Sequence, residues 1–408
     1  MILNVTVENY KGIKNKVNLS SIASNKIKRL SNVYSNLDTK NKALKSIAII
    51  GANASGKSSF LDAIETIQDF LWFPFRKNIT KEESYHDYIK SLSAEELKDF
   101  LIKFDTIELG IQHNTRKNDD TNLCIELYVP QRENNISGIY TYKLIYDKYY
   151  QKYGVKKESL SFRKTYDSKR EKLLLNENYI MESEASVSTI YKNNSSFKKN
   201  ENINYIESFV NEMLYHTTFS KRLNELSLIE LAESNRELFN QLCNIADNKI
   251  KKVTIDYDDN SKILKFWNSD NSFLYLDELS NGTIKILALG CDIIDSLKEN
   301  NTLLFDEIDN GMHFSLSRFL IELNNTYGSN FSQIIFSTHS PLLASYLDND
   351  QVYYIENING STTLNNIAYA IKTNIISKDQ NFTKAYIEGL IINNPDINKL
   401  LDFKNFLK

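Results

Sequence analysis

Over Ile2–Glu8 (ILNVTVE) apolar and polar positions alternate, which predicts a strand with one face buried. Ser46–Ile50 (SIAII) is a nearly unbroken apolar run, the pattern of a strand covered on both faces, and it ends at Gly51. After Lys57, the residues Phe60, Leu61, Ile64, Ile67, Phe70 and Leu71 recur at helical spacing, and Pro74 is expected to stop that helix. Between these two segments Ser20–Lys45 is polar, without a strong pattern, and reads as a connector. Tyrosine-rich stretches predict strands at Thr121–Val129, Ile139–Tyr146 and Ser159–Tyr166, and Thr189–Asn204 reads as a loop. Helical patterns run from about Ile206 to Asp247. Beyond them come strands at Lys251–Tyr257 and Lys262–Trp267, a helix at Thr283–Leu297 and a strand at Thr302–Asp309. Another helix, a strand at Gln333–Ser340 and a mixed tail complete the chain. Such alternation predicts the α/β class, with a largely parallel, covered sheet in the C-terminal half. No internal repeat is visible.

Composition changes this picture little. With 41% hydrophobic and 25% charged residues among 408, the chain has ample apolar surface for a core. A net charge of −3 excludes a nucleic-acid footprint over the whole surface and leaves only local patches. Cys124, Cys243 and Cys291 are isolated in sequence and read as buried free thiols of a reducing compartment. The N-terminus lacks the basic start and apolar block of a signal peptide, and no apolar run is long enough to span a membrane. A cytoplasmic protein without a membrane partner is expected.

The chemistry is carried first by GANASGKSSF, Gly51 to Phe60, in which Gly51-x-x-x-x-Gly56-Lys57-Ser58 joins the Ser46–Ile50 strand to the amphipathic helix. A phosphate chain needs several backbone N–H groups turned toward one point, and glycines permit that wrap. Lys57 supplies a point charge for β- and γ-phosphates, Ser58 a hydroxyl for Mg²⁺, and the helix its positive end. Gly51, Asn53, Ser55, Gly56, Lys57, Ser58 and Ser59 are therefore the candidate ATP cradle. A chance glycine-rich turn would not come with both the buried strand and the striped helix. The second motif is TLLFDEID, an apolar run ending in Asp306 and Glu307. An acidic pair after a strand is usually a solvated turn. Beside a P-loop it suits Asp306 to hold Mg²⁺ and Glu307 to orient an attacking water. An adjacent glutamate favours hydrolysis over transfer to a small molecule.

Two further segments resemble those of ABC-type ATPases. Leu279-Ser280-Asn281-Gly282, at the start of an apolar-striped helix, would alone be a turn and helix cap, yet it resembles the LSGGQ-type signature, with Asn281 and Thr283 as departures. In STHSP, His339 follows the strand Gln333–Phe336 at the place of the switch histidine, and Asp309–His313 (DNGMH) resembles the D-loop, although Phe314 stands where a proline usually does. The opening VENYKGIKN, together with GANASGKSS and DEIDNGMH, resembles the SMC, RecF and OLD branch, and most closely the stand-alone AAA-type ATPases of bacterial phage-defence operons. KAYIEGLIINNPDI resembles that group's KAYLEGRYGAIP tail at Lys384, Ala385, Tyr386, Glu388, Gly389 and Pro395. The resemblance implies a RecF/SMC-like ATPase head with a mixed sheet and an inserted α+β lobe. It divides the chain into an ATPase lobe at 1–72, an insertion at 73–250, a second ATPase lobe at 251–346 and a tail at 347–408. It also implies that Ser280, Asn281, Gly282 and Asp309 take part in nucleotide binding, Ser280 and Gly282 on the nucleotide of a second copy, with Glu307, His339 and Lys57 as catalytic residues. No Q-loop glutamine is evident. Gln68 sits on the P-loop helix, where packing or exposure is its expected role, and Gln112 is the other candidate.

For function, the resemblance implies an ATP-hydrolysing, ATP-dimerised switch subunit of an anti-phage system that controls a co-encoded effector, a nuclease or toxin. Higher assembly of dimers, and contact with DNA or a phage component, stay open. The alternative is a RecF-like DNA-repair ATPase, for which Arg163–Lys172 and FKKNEN would supply basic surface, although such runs are usually solvated faces. A small-molecule kinase explains neither the signature nor His339. Roughly 220 mixed residues between Lys57 and Ser280 are too few for SMC arms, which need sustained heptads. Asp348-x-Asp350 invites comparison with the TOPRIM metal motif, but a polar turn before a strand is the expected reading, with no nuclease centre.

Overall fold

The structure is a computed structural model that describes residues 1–24, 29–35, 37, 41–79, 119–132, 135–146, 155–178, 202–220, 225–258, 261–327, 332–378, 380 and 382–392. Along the chain β1 (Ile2–Glu8) and β2 (Val17–Ser20) form a hairpin, β3 (Val33–Tyr34) pairs with β4 (Ala43–Leu44), and β5 (Ser46–Ile50) leads into helix α1 (Lys57–Ile79). Next come β6 (Thr121–Val129), β7 (Gly138–Tyr146), β8 (Val155–Arg163), β9 (Lys172–Asn178), α2 (Ile203–Tyr215), β10 (Thr217–Ser220), α3 (Glu225–Ser234) and α4 (Arg236–Ala246). The meander β11 (Ile250–Asp258), β12 (Ser261–Asn268) and β13 (Phe273–Leu274) precedes α5 (Asn281–Glu299), β14 (Thr302–Phe305), α6 (Phe314–Tyr327) and β15 (Gln333–Thr338). The short α7 (Pro341–Ala344), the hairpin β16 (Val352–Ile358) and β17 (Ser361–Asn366), and helices α8 (Ile367–Lys372) and α9 (Phe382–Ile387) end the described chain.

The central sheet has the order β10-β14-β15-β5-β16-β17, parallel throughout except for β17. Every residue of β5, β14 and β15 is buried, as expected for strands covered on both faces. On one face Ile47, Ile49, Leu304 and Ile335 pack with Phe60, Leu61 and Ile64 of α1 and Phe209 and Met213 of α2. On the other, Ala48, Leu303, Phe305, Ile334 and Phe336 pack with Ile286, Leu289 and Ile293 of α5 and Leu320 and Ile321 of α6. Neighbouring positions of one strand serve opposite cores, which is the period of two made visible. A second, antiparallel sheet, β2-β1-β6-β7-β8-β9, shares the α1 and α2 core. Gln333 ties the two sheets: its side chain accepts from Ile2 N at 2.8 Å and donates to Ile2 O and Leu44 O at 3.1 and 3.0 Å. The β11–β13 meander has a smaller core with α3, α4 and α5.

The α/β class and mixed sheet are as expected, and several details differ. Pairing does not follow the chain boundaries proposed from sequence. β6 to β9, inside the 73–250 insertion, extend the β1–β2 hairpin, and β10 of the same stretch joins the parallel sheet beside β14. Pairing between distant strands leaves no local pattern to read. Helix α1 continues past Pro74 to Ile79, since a proline removes one hydrogen bond without forbidding the turns around it. Strands β3 and β4 lie within the segment read as a connector, and β10 interrupts the stretch read as helical. The Thr189–Asn204 loop lies almost wholly outside the described residues, as do Gln112, FKKNEN except its last residue, and Pro395. Among the described residues no helix is long and apolar enough to cross a membrane.

Candidate functional site

Strands β14, β15 and β5 are neighbours in the sheet, so their carboxyl ends open side by side, the place where open parallel sheets gather chemistry. Gly51 leaves β5 against the β16 backbone: a Cβ there would come within 2.6 Å of Ile355 O, so only glycine fits. Ala54 at φ 60° and Gly56 at φ 109° turn the loop back into α1, whose first intrahelical bond runs from Phe60 N to Gly56 O at 2.9 Å. The N–H groups of Lys57, Ser58 and Ser59 thus face the loop without helical partners. Asn53 and Ser58 are exposed, while Ser55 Oγ is buried with no hydrogen-bond partner among the described residues. Lys57 is buried and its Nζ donates to Gly51 O and Ala52 O, both at 2.9 Å. Burial lowers its pKa from the ordinary 10.5, opposed by the nearby charges of Asp306, Glu307 and Asp309. An unpartnered hydroxyl, unused helix-start donors and a lysine resting on carbonyls form a cradle that suits a phosphate chain.

At the end of β14, Asp306 is exposed and accepts a hydrogen bond from Ser337 Oγ of β15. The same hydroxyl accepts from Glu307 N at 2.7 Å, so Ser337, fully buried, holds both acidic residues. Glu307 sits at φ 50°, a left-handed conformation that costs a non-glycine residue roughly 1–2 kcal/mol. Its carboxylate accepts from Asn310 Nδ2 at 3.0 Å and lies 3.6 Å from Nε2 of His339, which follows β15. Its carbonyl accepts from Lys285 Nζ of α5 at 2.7 Å, and Asn310 O accepts from the same amine at 3.0 Å. Asp309 Oδ1 is buried without a hydrogen-bond partner among the described residues. Lys57, Asp306, Glu307, Asp309 and His339 therefore come together. Ser337, Lys285 and Asn310 join them without having been singled out in the sequence. The available signals were a serine at the end of a buried strand and a lysine one turn into an otherwise apolar-striped helix.

Ser280 is the N-cap of α5: its Oγ accepts from Thr283 N at 3.1 Å and lies 2.8 Å from Thr283 Oγ1. Asn281 is exposed, and a Cβ on Gly282 would stand 2.7 Å from Gly311 O, so the helix start and the D-loop segment touch through backbone. Among the described residues no hydrogen bond joins Ser280, Asn281 or Gly282 to the P-loop of the same chain. His313 accepts from Ser315 N at 3.2 Å at the start of α6. Gln68 donates to Met213 O and Thr217 O at 2.8 and 2.7 Å, a packing role between α2 and β10. Asp348 accepts from Asn32 Nδ2 at 3.0 Å and Asp350 from Ser24 N at 2.9 Å, so both side chains fasten a turn. In the basic run, Arg163 pairs with Glu126 and lies over Tyr166, and Lys172 lies over Tyr205. Ala385 of α9 is buried in the core that also holds Ala344 of α7, just beyond His339.

No curated protein matches the chain. Among solved structures, an SMC head domain from Thermotoga maritima is similar at 11% identity with TM-score 0.42, over 90% of this chain and 98% of that one. An Smc head bound to the C-terminal winged-helix domain of ScpA is similar at 12% and TM-score 0.46, over 90% and 97%. A third, an Smc head with an extended coiled coil bound to the C-terminal domain of ScpA derived from Pyrococcus furiosus, stands at 13% and 0.45, over 91% and 98%. Residues 46–345, which hold every motif from the P-loop to His339, match a family model, and the chain belongs to the family described as "AAA domain, putative AbiEii toxin, Type IV TA system".

Proposed function

We propose that this chain is an ATP-hydrolysing switch subunit of a bacterial anti-phage system, one that dimerises around ATP and restrains or licenses a co-encoded effector. The observation that carries the hydrolytic part is Glu307. Its backbone is held in a strained conformation and its carboxylate lies 3.6 Å from His339, beside the buried Lys57. Strain held by surrounding structure gathers at sites of function. Gly51, Asn53, Ser55, Gly56, Lys57, Ser58 and Ser59 would bind the phosphates, with Ser58 and Asp306 holding Mg²⁺. The ion would offset charge on the phosphate oxygens. Glu307 would take the proton of the attacking water, and His339 would orient that carboxylate and contact the γ-phosphate.

Ser280, Asn281 and Gly282 have no partner in their own P-loop, which supports their use on the nucleotide of a second copy, with Asp309 at the joint. Two equivalent sites would follow from an isologous two-fold dimer. The family's description supports the defence and toxin–antitoxin setting. In the basic run, Arg163 pairs with Glu126 and Lys172 lies over Tyr205, while Lys164, Lys169 and Arg170 are exposed, so the DNA-clamp alternative keeps a small local basic surface.

The test is Glu307→Gln against Lys57→Ala in the full chain. Glu307→Gln should lose about 10²–10⁴ in single-turnover hydrolysis while keeping ATP and lengthening dimer lifetime on gel filtration. Lys57→Ala should lose nucleotide. Near-normal turnover by Glu307→Gln would refute the role of Glu307. Co-purification with the neighbouring gene product, with and without ATP, tests the effector: a partner whose retention is indifferent to nucleotide would exclude a switch.

A further inference from the structure

The two peptide groups that flank Glu307 are each pinned by one side chain. Its N–H is held by Ser337 of β15, and its carbonyl by Lys285, which stands on α5 one turn past the Ser280 cap. Lys285 also donates to Asn310 O, so one amine closes the turn from Glu307 to Asn310. Among the described residues Lys285 makes no ion pair, although Asp309, Glu307 and Asp306 are near enough to raise its pKa against the larger, lowering effect of burial. A half-buried ammonium aimed at two carbonyls, with three carboxylates nearby, is an expensive way to stabilise a surface turn. A lysine serving only solubility would point its amine to water. At the other end of the same contact, Gly282 abuts Gly311 O. The start of α5 and the 307–311 turn are thus joined at three backbone points, two through Lys285 and one through Gly282.

We infer that Lys285 is a positioning residue for hydrolysis. It holds Glu307 in its left-handed conformation and links the start of α5, the segment offered to a second copy's nucleotide, to the carboxylate of its own protomer. The inference rests on the reading of Glu307 as the base. Because Lys285 touches neither the P-loop nor a phosphate-facing group in this structure, its loss should leave nucleotide binding alone and slow the chemical step.

The experiment compares Lys285→Met, Lys285→Arg, Glu307→Gln and the double variant Lys285→Met/Glu307→Gln in the full-length chain. Binding is read with a fluorescent ATP analogue and hydrolysis by single-turnover phosphate release. Lys285→Met should lower kcat about tenfold or more with KM and nucleotide affinity within about twofold. Lys285→Arg, which keeps charge and donors, should recover most of that loss. If Lys285 acts through Glu307, its effect should disappear once Glu307 is gone, so the double variant should match Glu307→Gln alone. A general packing role predicts instead that the two losses multiply, and that outcome overturns the inference. So does a Lys285→Met protein with unchanged kcat, or one whose ATP affinity falls as far as its rate. Should Glu307→Gln itself turn over normally, the reading of the base fails, whatever Lys285 does. Circular dichroism and melting of Lys285→Met show whether it folds. If it does not, Lys285→Gln, which keeps a neutral donor on a shorter stem, goes through the same cycle with the same criteria.

Discussion

Removing one hydroxyl from the floor of the site should both loosen the fold and slow hydrolysis. Ser337 is fully buried, accepts from Glu307 N at 2.7 Å and donates to the Asp306 carboxylate. Ser337→Ala leaves a methyl of nearly the same size, so packing is retained and the hydrogen bonds alone are lost. Asp306 is exposed, and water replaces its missing donor at little cost. Glu307 N is part-buried beneath the turn, and an N–H left without a partner where water is restricted costs up to about 1–3 kcal/mol. In chains of 150–250 residues each kcal/mol moves the melting temperature by about 2–4 °C, and less in larger ones, so a fall of a few degrees is expected. The same N–H anchors a residue at φ 50°. Once freed, Glu307 can relax toward ordinary backbone angles and carry its carboxylate away from His339, which should lower kcat by about tenfold, as for the loss of about 1.4 kcal/mol of orientation. Scanning calorimetry without nucleotide and phosphate release at saturating ATP give the two numbers. Ser337→Thr keeps the hydroxyl on a strand that favours β-branched residues and should restore most of both. An alanine variant with unaltered melting and unaltered kcat would show that the acidic turn is held by something else.

Gly282→Ala should slow turnover while ATP still binds to the P-loop, because the new Cβ must displace Gly311 O, 2.7 Å away, at an overpacking cost of about 1–3 kcal/mol; an alanine protein with wild-type kcat would contradict the close contact. ATP affinity should also fall at a lower pH than an ordinary lysine titrates. Burial lowers the pKa of Lys57 below 10.5 in the free protein, while phosphates would favour its charged form, so affinity is full below that lowered pKa and declines above it, by at most about tenfold per pH unit for one proton. Unfolding cannot mimic this effect through Lys57. Between the lowered pKa and 10.5 the unfolded chain binds more protons, so Lys57 makes the free fold more stable as pH rises. Fluorescent-nucleotide titrations across that range decide it, and an affinity that stays flat to pH 10.5 would rule the argument out.

What could be read from the sequence was whatever a short stretch encodes by itself. SIAII, TLLF and QIIF are continuous apolar runs, and each became a strand buried on both faces, in register with the next. Ser280 declared itself a cap by preceding an apolar-striped helix, and it accepts from Thr283 N as a cap does. What could not be read was pairing at a distance. Nothing in Thr121–Val129 says that it lies beside Ile2–Glu8 rather than in a lobe of its own, and nothing in Thr217–Ser220 marks an edge of the central sheet. The side chains that hold the site went unseen for the same reason. Ser337 and Lys285 are ordinary residues in their own segments, a serine ending a strand and a lysine on a helix, and they gain significance only because Glu307 stands between them. The motif residues are those whose chemistry a nucleotide would need directly. Their geometry is set by residues that meet them only after folding. A chain that kept every motif letter and lost Ser337 or Lys285 would still read as the same site, yet Glu307 would no longer be pinned at φ 50°. On the proposed reading, what would make a nucleotide cradle a hydrolytic centre is the set of contacts between β15, α5 and the turn after β14, and not the motif letters alone.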